Sequence, residues 1–471
     1  MPTLRIATGS LLAIVALTAG CARAGDATHP SGTAAISSVT TAPNVYDEQR
    51  SAGAQRALDE LSAAITSGSV TQLDGVLDAA ASPPFRDRLQ TAAANFAVRG
   101  QITDPAAGST ADSAGLRGTA LHLKEFHYQL TPTDEAETLV PSALQSRLDA
   151  EGSSDSWIAP VELHYALGGA VTPGVDEPEV TVPVQLVLAR YDDAWKVVGD
   201  AAAVGGSPTP TGVWEVPGLA ATDVRSAGGD CAILSYPGTA ATVARVGGLL
   251  PAAVDAVTDF WGTGWPRRAV VIATGRPAEF TGLTQSSTAD DAGAAAAAIV
   301  TRVDSDTRTA IGQRVVLTPG AGEMPAPTLA EVLRHELTHV ATRVDTSPSA
   351  PLWITEGVAE YVGRKGTYIR FDDAAPNLAD RLRAGQVPAG LPADADFAVN
   401  ADAALVAYQS AWSVAAYVAD RYGEARLKKL YLGVAASGDI RRQDAAIDDA
   451  LGIDRNRLVA DWRTWLTEQV R

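Results

Sequence analysis

Apolar and polar positions alternate along the chain with two different periods, and the period changes in a set order. Over 49–67, Ala57, Leu58, Leu61 and Ile65 fall on one stripe, which predicts an amphipathic helix. A second helix is predicted over 85–99. Strand-like segments follow at 120–130, 157–167, 180–190 and 195–200. The last two are joined by Tyr191-Asp192-Asp193-Ala194, a hairpin signal. A Gly- and Pro-rich stretch over 204–212 contains no large apolar side chain except Val204 and reads as a linker. Beyond it come strand-like runs at 231–236, 268–273, 299–303 and 313–318, with a helix over 240–261 between the first two. Helical period dominates from 318 to the end. The expected class is α+β. A small α+β domain over 46–203 precedes a second domain over 213–471, strands first and helices after.

Composition sharpens this picture. The chain has 471 residues, a formal net charge of −18, two Cys and six His. Apolar content of 46% and charged content of 20% describe a chain that buries a core. The acidic balance argues against a nucleic-acid partner, which requires Lys and Arg to displace phosphate counterions. Two cysteines build neither a disulfide scaffold nor a multi-cysteine zinc site.

The N-terminus reads as an export signal over 1–20, with Arg5, a short apolar run from Leu11 to Leu17, and small residues before Cys21. The string Leu17-Thr-Ala-Gly-Cys21 resembles the lipobox of bacterial lipoproteins. That resemblance implies cleavage before Cys21 and a diacylglycerol on its thiol. The expected location is the outer face of the bacterial cytoplasmic membrane, in the cell envelope. Residues 21–45 read as a flexible tether with a reach of about 25–30 Å. Cys231 is then the other cysteine, expected as a buried small hydrophobe. His122, His127 and His164 share the first region, but no helical or hairpin spacing makes them a metal site.

The chemistry gathers between 328 and 361. Thr328-Leu-Ala-Glu331 has the form of a capping box, so a helix is expected to start there. On that helix His335 and His339 share a face one turn apart, a geometry that binds one zinc ion. Glu336 lies beside the open coordination position, suited to general-base work. Random placement of six His and eighteen Glu in 471 residues yields His-Glu-x-x-His only about 0.003 times. Glu356 opens a second helix and completes a His₂Glu set. Glu360, one turn on, is expected to accept the free imidazole N–H of a zinc-bound His.

These strings, His335-Glu-Leu-Thr-His339 and Trp353-Ile-Thr-Glu356-Gly-Val-Ala-Glu360-Tyr361, resemble the gluzincin metallopeptidases, and especially the peptidase MA-like group. The segments 408–423 and 451–466 resemble its later helices. The resemblance implies a peptidase holding one zinc ion per chain on His335, His339 and Glu356, with Glu336 as base and a peptide or protein as substrate. It also implies a hydroxyl donor on a later helix, with Tyr408 the first candidate and Tyr417 the second. An edge strand ahead of the zinc helix is implied as well, and Val315-Val316-Leu317 is the expected one. The Gly- and Glu-containing substrate motif of the aminopeptidase branch is not found, which favours an endopeptidase. The alternative is a peptidase-fold lipoprotein that binds or assembles at the envelope without turnover. The first domain's ending, a long strand, a tight turn and Trp195-Lys-Val-Val-Gly-Asp200, resembles the nuclear transport factor two-like cone.

Overall fold

The computed structural model describes residues 45–97, 117–119, 123–131, 138–168, 173–286, 294–368, 370–397 and 401–471. The export signal, most of the tether, Cys21 and His122 lie outside the described residues. The fold is α+β. Helices α1 (Val45–Ser67), α2 (Val70–Val76) and α3 (Pro83–Ala97) come first. Then follow β1 (Arg117–Thr119), β2 (Leu123–Leu130), α4 (Ser142–Ala150), β3 (Asp155–Leu167), β4 (Val180–Tyr191) and β5 (Ala194–Asp200). Strands β2 to β5 form an antiparallel meander in chain order. The expected hairpin is present, with Asp192 at φ 54°, the left-handed region that a tight turn requires.

The second region opens with β6 (Ala220–Ser226), β7 (Gly229–Ser235), α5 (Ala240–Trp261), β8 (Val270–Ala273) and α6 (Pro277–Thr284). It continues with β9 (Ala296–Ile299), β10 (Arg302–Asp304), β11 (Thr309–Ile311) and β12 (Arg314–Leu317). The remaining elements are helical: α7 (Ala326–Thr342), α8 (Leu352–Arg364), α9 (Phe371–Ala374), α10 (Pro376–Arg383), α11 (Ala401–Tyr422), α12 (Glu424–Val434), α13 (Ile440–Leu451) and α14 (Arg455–Gln469).

The central sheet runs β1-β6-β7-β8-β12-β9. Its strand β8 is apolar at every position and β12 is apolar over 315–317, because both faces are covered there. Alternate residues serve opposite layers. Ile233, Val271, Val315 and Leu317 face the layer built by α5 and α7, where Leu250, Val254, Leu333 and Leu337 are buried. Leu234, Ile272 and Val316 face the first region, where Leu58, Leu61, Leu89 and Phe96 pack. Helix α5 is long and apolar enough to cross a membrane by length and composition. Its Val246, Leu250, Val254 and Val257 are fully buried in this layer, so its apolar character serves the core.

Four expectations are corrected. Val315-Val316-Leu317 is an inner strand, held parallel to β8 on one side and antiparallel to β9 on the other. The outermost strand at that end is the alanine-rich β9, whose short side chains gave no strand period to read. The run expected over 299–303 breaks at 300–301, so that β9 and β10 belong to different sheets. Helix α7 starts at Ala326 with Pro325 as its N-cap, not at Thr328, and Glu331 turns inward instead of back to the cap. The segment 204–212 is held at Thr209, whose carbonyl accepts from Arg88 at 3.0 Å and whose N–H donates at 3.0 Å to the Asp200 carboxylate, which Arg88 also bonds at 2.7 Å.

Contacts across that segment are extensive. The amide of Asn95 donates to the carbonyls of Trp214 and Val216, both at 2.8 Å, and its oxygen accepts from the Leu219 N–H at 3.1 Å. Trp214 sits edge-on to Phe126 and Tyr165. Strand β1 pairs with β6 of the central sheet. At the far end of the same seam Arg314, 4% exposed, forms an ion pair with both oxygens of Glu177.

Candidate metal centre

Helices α7 and α8 bring the candidate ligands together. The i, i+4 spacing puts His335 and His339 on one face of α7, with ring centroids 4.8 Å apart. The Nε2 atoms of the two rings lie 3.1 Å from each other. Glu356, in the first turns of α8, places Oε2 at 3.4 Å from His335 Nε2 and 3.5 Å from His339 Nε2. Ligands about 2.0–2.1 Å from a tetrahedral ion lie about 3.3–3.4 Å apart. The three spacings fit an ion at their centre. The donor set, two imidazoles and one carboxylate, is that of a zinc site with one open position.

Close approach of the helices depends on small residues. A Cβ at Gly357, next to Glu356, would stand 2.5 Å from the Ala411 carbonyl oxygen of α11. A Cβ at Gly363 would stand 3.1 Å from the Glu331 oxygen and 3.5 Å from His335 Cβ. Both glycines are therefore explained by backbone approach.

The electrostatics of the pocket are unusual. His335, Glu336 and Glu356 are each 0% exposed. Both carboxylate oxygens of Glu336 and of Glu356 lack a hydrogen-bond partner, as do His335 Nδ1 and Glu360 Oε1. Orphaned buried polar atoms carry a desolvation cost that a bound cation offsets. Burial pushes the Glu336 carboxyl above its ordinary range, against the pull of the neighbouring imidazoles. Burial acts on Glu356 in the same direction, but His339 and His335 overcome it and hold the carboxyl at about 2. For His335, burial lowers the imidazole pKa, while Glu356, Glu360 and Glu336 raise it to about 9.

Glu360 Oε1 lies 3.5 Å from His335 Nδ1, and neither atom has a hydrogen-bond partner. Behind it stand Arg364 and Tyr368, which no sequence motif marked, and Glu331, which had the spacing of a capping box. Arg364 pairs with Glu360 Oε2 and with Glu331 Oε1, and the Tyr368 hydroxyl donates to Glu331 Oε2 at 2.9 Å. The signal was present in spacing: Glu331 precedes His335 by four residues and Arg364 follows Glu360 by four.

The two tyrosine candidates both lie on α11. Tyr408 is buried with its ring edge-on to Phe397, in a small apolar cluster with Ala411 and Leu352. Tyr417 packs on Tyr422 and Trp465, where α11 meets α14. Cys231 is fully buried, and burial pushes its thiol pKa up. His127 and His164 are direct cross-strand partners with stacked rings, each beside its own glutamate.

Residues 328–468 match the family model of the Peptidase MA superfamily. No curated protein matches the chain, and no solved structure does. The match runs from the first turns of α7 into the last turn of α14 and takes in all three candidate ligands. The C-terminal helical region of this chain is peptidase MA-like.

Proposed function

We propose that the protein is a zinc-dependent metallopeptidase, exported and lipid-anchored at Cys21 to the outer face of the bacterial cytoplasmic membrane, and that it acts as an endopeptidase on peptides or proteins. The observation that carries this reading is the convergence of His335, His339 and Glu356 within 3.1–3.5 Å, beside a buried, unpartnered Glu336. A zinc ion held there supplies Lewis acidity toward a peptide carbonyl and brings the pKa of a water near neutrality. Glu336 accepts a proton from the attacking water and delivers it to the leaving amine. Glu360 Oε1, 3.5 Å from His335 Nδ1, is the carboxylate oxygen that would accept from that nitrogen with a metal bound, which leaves Nε2 for the ion. Tyr408 is the first candidate for a hydroxyl donor to the developing oxyanion.

A second reading draws on one observation. The centre is fully buried at His335, Glu336 and Glu356, so a peptide reaches it only if the surrounding chain opens. A chain that stays closed is a peptidase-fold lipoprotein acting in binding or assembly at the envelope. For the first region, three helices laid on a four-stranded antiparallel meander support the likeness to the nuclear transport factor two-like cone.

The deciding experiment measures zinc content and peptide-library cleavage for the wild type and Glu336→Gln, with a chelator control. The expected result is one zinc in each protein, and cleavage by the wild type alone. Absence of zinc after refolding with the metal sinks the metal reading. Full activity in Glu336→Gln sinks the base assignment.

A further inference from the structure

The buried charges behind the metal centre form a chain with a direction. Glu360 has two carboxylate oxygens with different neighbours. Oε1 faces His335 Nδ1 at 3.5 Å, and neither atom meets any partner at hydrogen-bond distance. Oε2 is taken by the Arg364 guanidinium, through both Nε and Nη2. The same guanidinium reaches Glu331 Oε1 at 3.2 Å and donates through Nη1 to the Ala374 carbonyl. Its planar face lies 5.9 Å from the centre of the Trp412 ring. Glu331 Oε2 is occupied by the Tyr368 hydroxyl at 2.9 Å. Glu360, Glu331 and Arg364 are 1%, 3% and 8% exposed.

Two features make this more than packing. A buried arginine with two carboxylates is an expensive way to join two helices, since apolar residues of similar volume often do so at no loss of stability. The cluster also straddles α7 and α8, the two helices that carry the ligands. Glu331 lies one turn before His335 on α7, and Arg364 lies one turn after Glu360 on α8. One guanidinium faces two carboxylates, and the carboxylate oxygen left without a partner faces His335.

We propose that Arg364 is a positioning residue for the metal centre: by occupying Glu360 Oε2 and bridging to Glu331, it holds Glu360 Oε1 against His335 Nδ1 and so sets the ring for metal binding. This rests on the metal reading above. Arginine suits the task because its planar fork grips two acceptors at fixed angles, which a lysine ammonium does not.

The test is zinc affinity by chelator competition, measured on the wild type, Arg364→Met, Arg364→Lys, Glu360→Gln and the Arg364→Met/Glu360→Gln double variant. Circular dichroism and melting of the metal-free forms report the fold separately. Arg364→Met is expected to weaken zinc binding about 10–100-fold, the usual effect of losing a residue that orients a ligand. Arg364→Lys is expected to recover part of that loss. In the Glu360→Gln background, Arg364→Met should change affinity by less than about twofold, because the oxygen it orients is already altered. If Arg364→Met fails to fold, Glu331→Gln/Arg364→Met removes the stranded charge and takes its place. Zinc affinity within about twofold of wild type in the folded Arg364 variants overturns the proposal. An equal loss with and without Glu360→Gln also overturns it, by making Arg364 a general support. A wild type that binds no zinc defeats the metal reading itself, a result distinct from these two.

Discussion

The two faces of the central sheet use buried polar groups in opposite ways. At the seam toward the first region, the polar groups of Arg314, Arg88 and Asn95 find partners. Arg314 meets Glu177, Arg88 meets Asp200, and Asn95 spends its whole amide on three backbone groups. On the helical face, polar groups converge and stay open. His335, Glu336, Glu356 and Glu360 together hold six buried atoms without a hydrogen-bond partner. A seam is stable when each donor has an acceptor. A site keeps groups unsatisfied so that something else can satisfy them. The histidines repeat the contrast. His335 and His339 point at one place from successive helical turns, whereas His127 and His164 stack face to face, 4.7 Å apart, each turned to its own glutamate.

The largest expected effect lies on the open face. His339→Ala should abolish stoichiometric zinc binding, because two ligands do not hold the ion. The control is His127→Ala/His164→Ala, which should retain one zinc per chain by metal analysis. Melting should separate the two as well. Saturating zinc should raise the melting temperature of the control and leave that of His339→Ala unmoved, since only a ligand bound to the native state stabilises it. If both variants keep one zinc, the contrast between the two pairs collapses.

The closed face is tested at Arg314. Arg314→Met leaves Glu177 buried without its cation and should destabilise the protein by about 3 kcal/mol at pH 8, as broken buried pairs do. The sign of the pH dependence follows from Glu177, whose pKa burial already raises even with Arg314 beside it. A carboxyl raised in the folded state contributes stability that is present below its ordinary value near 4.5 and lost as pH rises through the folded value. Removing Arg314 raises that folded value further. The variant should therefore lie nearest the wild type at about pH 5 and furthest at pH 8. Denaturant melts at the two pH values decide it, and a deficit that grows toward acid would mean Glu177 is not the cause.

The two faces were not equally legible in the sequence. The open face was written in local spacing. Helical periodicity joins His335 to His339 and Glu356 to Glu360, because i, i+4 positions on one helix must meet, and the need of a His₂ pair for a third ligand joins the two pairs. The class, α+β with strands before helices in the second region, followed from periods that change along the chain. The closed face is made of long-range pairs. Glu177 and Arg314 stand 137 residues apart, and no local pattern joins them. Strand β1 pairs with β6 across the segment that read as a linker, since Gly and Pro mark a change of local structure and say nothing of what the chain packs against. Strand β12 was taken for an edge because its neighbour β9 is four short residues, three of them alanine, with no alternation to read. Glu331 fitted a capping box by spacing, but an N-terminal start at Ala326 left it free to turn inward to Arg364.

The smallest expected effect concerns the stacked histidines, and it presses hardest on the contrast. His127 and His164 are directly opposite across β2 and β3, with ring planes 7° apart. Parallel stacking turns the ring edges, where the nitrogens are, along parallel planes, so the two rings do not present their lone pairs to one point. Nδ1 of His164 is already held by Glu179 at 2.5 Å, and Nδ1 of His127 lies 3.2 Å from Glu125. The pair should behave as a cross-strand contact worth about 0.2–1 kcal/mol in a double-mutant cycle of His127→Ala and His164→Ala. That coupling should be the same with and without zinc. The cleanest background for the measurement is His339→Ala, where the helical site no longer takes the ion. Should zinc raise the melting temperature of that variant, and the rise vanish on removing His127 and His164, the stacked pair would be a second metal site. The closed face would then hold an opening of its own.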